Sequence, residues 1–153
     1  LDKRDPRCKD ALSILESEEY KVVSELTLVE LTSVLSRRED LIARLSKQLT
    51  LNRKLAILAL LLYVLKRFKL KFVSLGSPLK ATSIGRIYAP FSKALEIVPD
   101  LKLRTLDLLH IAYLETLKEL GEPLHKLLTA DTDFVRAEEY LRKSVGVKLQ
   151  VVK

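Results

Sequence analysis

Three acids stand where a chain could gather carboxylates for metal-assisted chemistry. Glu30 lies in SELTLVELTSVL, Asp107 in LRTLDLLHIAYLE, and Asp131 just after the apolar run Leu127-Leu128-Thr129. They are 77 and 24 residues apart. Each sits close to the start of an expected helix, and Glu30 and Asp131 each closely follow an expected strand. In an open parallel sheet the C-terminal ends of strands and the N-terminal ends of helices share one edge, and ligands bind there. The topology therefore predicts that Glu30, Asp107 and Asp131 meet on one rim. Like charges so gathered repel unless a cation sits among them. Oxygen-only ligands suit Mg2+ or Mn2+. Such an ion lowers the pKa of its bound water and stabilises a phosphoryl oxyanion.

Each acid also has a purely structural role open to it. Thr27-Leu28-Val29-Glu30 spells a capping box. Asp107, two residues after the cap candidate Thr105, suits a helix dipole. Asp131 is a possible N-cap, with Asp133 in the first turn behind it. Thr129 either orients a carboxylate through its hydroxyl or makes a local backbone bond. His110, one turn from Asp107, either faces the site or is a hydrogen-bonded boundary residue.

Other chemistries lack their residues. The chain has one cysteine, Cys8, and two histidines, so it carries no C-x-x-C and no zinc-type cluster. It has no P-loop, no G-x-G-x-x-G and no G-x-S-x-G elbow. A lone cysteine fits a reducing, cytoplasmic setting. The charged opening LDKRDPRCKD does not read as a signal peptide. The longest apolar run, Leu55 to Leu65, is too short for a bilayer and reads as a buried helix with no membrane role. A formal charge of +7 favours a polyanionic partner, RNA or DNA. One Asn, two Gln and no Met, with 31% charged residues, point to a thermophilic source.

The elements that must position the acids follow from periodicity. Helices are expected at 6–18, from cap Thr27 to about Arg37, at 39–49, at 53–68, from Pro90 to Ile97, from cap Thr105 to Leu120, and from Phe134 to Lys143. Strands are expected at 20–24, 72–75, 126–129 and 147–152, with 84–88 either strand or loop. Gly76-Ser77-Pro78 is a turn. Lys66, Arg67, Lys69 and Lys71 suit a helix C-terminus as well as an RNA patch. With 153 residues, 48% of them hydrophobic, and no repeat or linker, the chain is expected to be one domain with a sizeable core. The alternation predicts an α/β fold with a mainly parallel sheet covered on both faces.

The stretches VVSELTLVELTSVLSRR, LRTLDLLHIAYLE and LLTADTDFVRAE, in that order and spacing, resemble the PIN domain, the metal-dependent nuclease fold of VapC-like toxins. The resemblance implies a three-layer fold around a short, mainly parallel sheet flanked by helices. It implies an Mg2+- or Mn2+-dependent endoribonuclease, a homodimer and, for the toxin branch, an antitoxin partner. By position, Glu30, Asp107 and Asp131 match the second, third and fourth family acids as catalytic metal ligands. Asp133 matches an extra acid of the last motif. The family's first acid, an Asp on the opening strand, has no match. Neither Asp2 nor Asp5 replaces it, and the strand that carries it is expected upstream of Leu1. Two other classes stay open: a catalytically weak PIN domain that binds RNA or takes part in its processing, and a helical interaction module whose acids are only caps.

Overall fold

The computed structural model describes residues 5–76 and 79–152. In chain order the elements are α1 (Cys8–Glu16), β1 (Lys21–Val23), α2 (Glu25–Ser36), α3 (Glu39–Leu49), α4 (Arg53–Arg67), β2 (Leu70–Phe72), β3 (Leu79–Thr82) and β4 (Gly85–Tyr88). Then come α5 (Ala89–Ile97), α6 (Thr105–Glu119), β5 (Lys126–Thr129), a 3-10 turn (Thr132–Ala137), α7 (Glu138–Tyr140), a π turn (Leu141–Val145) and β6 (Lys148–Val151). The chain gathers into two compact units, Leu1–Ser17 with Leu75–Lys153, and Glu18–Ser74. Of the expected turn Gly76-Ser77-Pro78, Ser77 and Pro78 lie outside the described residues, as does Asp2.

The unit Glu18–Ser74 is a parallel crossover. β1 pairs with β2 in the register Lys21 to Leu70, Val22 to Lys71 and Val23 to Phe72. The second strand thus lies two residues earlier than the β-rich run 72–75 suggests. Lys69 adopts a left-handed φ of 51°, so the chain turns out of α4 and is extended at once. The first strand ends at Val23, which leaves Ser24 extended and available as a cap. The Ser24 hydroxyl accepts the Thr27 backbone N–H at 3.2 Å and lies 3.1 Å from the Thr27 hydroxyl. Ser24, not Thr27, therefore caps α2, and the capping-box role expected of Glu30 lapses.

The break expected around Thr50-Leu51-Asn52 is present. Thr50 is left-handed at φ 53°, and the Asn52 side chain accepts the Leu55 N–H at 2.9 Å to start α4. The expectation that α4 is buried is corrected. Of its described residues only Ala56 is buried, while Leu62 is 65% and Tyr63 61% exposed. Apolar residues run all round this helix, and α2 and α3 pack on it without covering its circumference.

In the other unit β5 and β6 pair in parallel, from Lys126 opposite Lys148 to Thr129 opposite Val151. β3 and β4 form an antiparallel hairpin, which settles 85–88 as strand. The sheet is thus realised as short pairs, two parallel and one antiparallel, among the described residues. The core sits on α6, where Asp107–Leu109 and Ile111–Leu117 are all buried and Ile111 is 0% exposed. α5 packs along α6. Arg104, not Thr105, stands at the N-cap of α6, and Thr105 is its first helical residue.

The helix expected over 134–143 is instead a 3-10 turn, one turn of α-helix and a π turn. A 3-10 turn stacks residues three apart, which puts Phe134 and Ala137 on the same buried face. Gly146, left-handed at φ 69°, closes the π turn, and Lys118 Nζ donates to the Val145 carbonyl at 2.7 Å. The Tyr140 hydroxyl donates to Glu115 Oε1 at 2.6 Å, and Lys93 Nζ lies 3.6 Å from Glu115 and 3.0 Å from Glu119. This network ties α7 and α5 to the middle of α6.

Candidate active site

Asp107 is in the first turn of the core helix. The helix start favours its negative charge, but burial opposes it. Asp107 is 9% exposed, and its Oδ2 is buried without a hydrogen-bond partner among the described residues. Its carboxyl is pushed above the usual range first by burial, then by the Asp131 charge, with Asp133 adding a smaller push. Arg104 and His110 pull it back down. A buried acceptor that nothing donates to costs stability and calls for an explanation.

Asp131 and Asp133 reach this field from the end of β5. The Asp131 backbone N–H donates to Thr129 Oγ1 at 3.0 Å, and Asp131 Oδ1 accepts the Asp133 N–H at 2.8 Å. Asp131 is therefore an N-cap, as one of its two readings expects. Thr129 acts on the backbone of Asp131 rather than on its carboxylate. Asp133 Oδ2 lies 3.3 Å from Arg104 Nη2, and its Oδ1 lies 3.8 Å from Arg136 Nη2. The ring of half-buried His110 stands 6.4 Å from that of Phe134, at the side of the same cluster.

Three arginines here escaped the sequence reading. Arg7 Nη1 donates to the carbonyl of Ala130, next to Asp131, at 3.2 Å. Asp5 holds that guanidinium at 2.8 and 3.0 Å, so Asp5 is a partner of Arg7 rather than a fourth site acid. Arg104 and Arg136 flank Asp133. For them a signal existed: Arg104 lies three residues before Asp107, and Asp133 and Arg136 are spaced i, i+3. Nothing in the sequence marks Arg7 as a neighbour of Ala130.

The fold thus brings Asp107, Asp131 and Asp133 into one electrostatic neighbourhood. Glu30 lies on α2, in the unit Glu18–Ser74, six residues past its cap. Among the described residues no three His, Cys, Asp or Glu side chains converge closely enough to hold a metal ion on their own. The chemistry of Asp107 nevertheless fits a cation. An orphaned carboxylate oxygen, in a field made more negative by two further acids, is stabilised by positive charge placed against it.

A family model, PIN domain, matches residues 1–140. The chain belongs to the PIN domain family. PIN domains are generally nucleases, and this one carries its buried acid on the helix at the centre of its core. No curated protein and no solved structure matches the chain. The match extends over α1 to α7 and across both compact units. Among the described residues no single helix is long and apolar enough to cross a membrane.

Proposed function

We propose that this PIN domain is an Mg2+- or Mn2+-dependent endoribonuclease, with Asp107 as its central metal ligand and Asp131, Asp133 and Glu30 completing the acidic set. The observation that carries the reading is the buried, unpartnered Asp107 Oδ2 with Asp131 and Asp133 acting on it. Glu30 enters the set through the family motif, as the match to its second acid. When bound, the ion supplies an acidified water and charge stabilisation for a phosphodiester oxyanion. The chain's own part is to hold the carboxylates. The α6 start orients Asp107, Thr129 and the Asp133 N–H fix Asp131, and Arg7 pins the carbonyl between them.

The VapC-like character of the three motifs extends the proposal to a cytoplasmic homodimer, the toxin of a type II pair with an antitoxin partner. The test is cleavage of a labelled single-stranded RNA by the full-length gene product with Mn2+ and with EDTA, beside Asp107→Asn. Cleavage that needs Mn2+ and vanishes in the variant supports the reading. A second reading, a PIN domain that binds RNA without cutting it, draws on the lack of a ready three-ligand cluster among the described residues. It predicts RNA binding with no cleavage by either metal, so that Asp107→Asn has no cleavage to lose.

A further inference from the structure

Beside the acids the surface opens into a cleft of about 410 Å3 lined by Lys102, Leu103, Arg104, Asp133 and Arg136. Three cations face one carboxylate there. We propose that this cleft binds a backbone phosphate of single-stranded RNA, and that Asp133 serves to orient Arg104 and Arg136 toward it. The inference rests on the nuclease reading for its substrate.

Three observations carry it. First, the two arginines arrive from different elements, one at the start of α6 and one from the 3-10 turn, and converge on Asp133 at 3.3 and 3.8 Å. Secondly, these pairs are loose and wet: the Arg104 and Arg136 side chains are 77% and 68% exposed. Such ion pairs contribute little stability, and a guanidinium in one exchanges readily. A phosphate offers each arginine a two-point, charge-assisted grip that a single carboxylate oxygen does not. Asp133 meanwhile draws both guanidinium groups to one side of the cleft, within reach of a single phosphate. Thirdly, Arg104 is three residues from Asp107, and its charge already acts on that carboxyl. A phosphate held in the cleft would put a neighbouring linkage of the same strand beside the buried acid. The sign of the cleft matters too, because cations at the margin of three acids offset their repulsion of a polyanion.

The experiment measures binding apart from cleavage. The full-length protein carrying Asp107→Asn, in EDTA, is titrated into a short fluorescent single-stranded RNA at several salt concentrations, and anisotropy is read. Adding Arg104→Ala and Arg136→Ala together is expected to weaken binding by roughly 10- to 100-fold. It should also flatten the slope of log affinity against log salt by about 0.7 for each phosphate that is no longer neutralised. Arg104→Lys keeps the charge and loses the fork, so the slope should stay while affinity falls a few-fold. Lys148→Ala, an exposed cation on β6 away from the cleft, should change neither. Equal affinity and equal slope in the double arginine variant would overturn the proposal. Should that variant melt early, Lys102→Ala is read instead, and unchanged binding there overturns it as well. Binding that needs the arginines, in a protein that never cleaves, keeps the cleft and removes the nuclease reading. Cleavage that persists with arginine-independent binding does the reverse.

Discussion

Helices α4 and α6 are each 15 residues long and each rich in leucine, yet they are used in opposite ways. α6 buries ten of its residues, and its exposed positions are confined to its ends; α4 buries Ala56 alone among its described residues. Apolar content is therefore a poor guide to burial here. What separates them is how much of each circumference is covered, not how many elements touch it. α6 has α5 along one side and the segment with Phe134, Ala137 and Leu141 in the same buried core. α4 has α2 and α3. The same contrast separates the acids they accompany. Asp107 is carried into the core by its helix and loses its water, whereas Glu30 on α2 stays half-buried. Desolvation, rather than sequence context, makes Asp107 the chemically unusual carboxylate.

The contrast can be broken most decisively at the acids. Asp107→Asn is expected to lower Mn2+-dependent RNA cleavage by about a thousand-fold or more, on the scale of losing a principal catalytic group. Retention of more than about a tenth of the wild-type rate, far above that scale, would show that the buried acid is not the centre of the site. The same substitution should raise the melting temperature of the metal-free protein at pH 7. The sign follows from the direction of the shift. The folded-state pKa of Asp107 lies above its unfolded value, so ionised Asp107 disfavours the fold at neutral pH. That penalty disappears as pH falls below the ordinary aspartate pKa of about 3.9. The gain from Asn should therefore shrink on acidification, as thermal melts across pH would reveal.

Ile111→Ala, in the fully buried stretch of α6, should cost about 2–5 kcal/mol in urea unfolding. Ser24→Ala should cost about 1 kcal/mol by removing the cap of α2. No loss of stability in Ser24→Ala would mean that Ser24 is not the cap. The smallest effect is expected on α4. Leu62→Ala should stay within about 0.5 kcal/mol, as surface substitutions do. A loss near that of Ile111→Ala would mean that α4 is covered in solution and that the comparison with α6 fails.

Much of this was legible in the residues. The α3–α4 break and strand β5 were signalled by local chemistry: helical periodicity interrupted at Thr50-Leu51-Asn52, and a short apolar run bounded by polar residues. The acids were legible as a set because the family's three motifs stand in order. The misses share one cause. Ser24 and Thr27 are both competent caps, and only the end of the β1–β2 pairing at Val23 chooses between them. Strand β2 starts at Leu70 because that is where its partner begins, although Phe72-Val73 has the stronger strand preference. The 134–143 stretch has helical spacing, yet packing of Phe134 and Ala137 tightens its first turn.

By itself, then, the sequence determined the order and kind of most of the elements, the acids available to them and the excess of positive charge. Those depend on periodicity, turn chemistry and side-chain type, which act over a few residues. Only the tertiary structure decided that Asp107 would lose its solvent and Oδ2 its partners, that Arg7 would reach Ala130 across 123 residues, and that Arg104 and Arg136 would share Asp133. Burial and charge coupling are properties of neighbours in space, and the sequence does not carry those neighbours side by side.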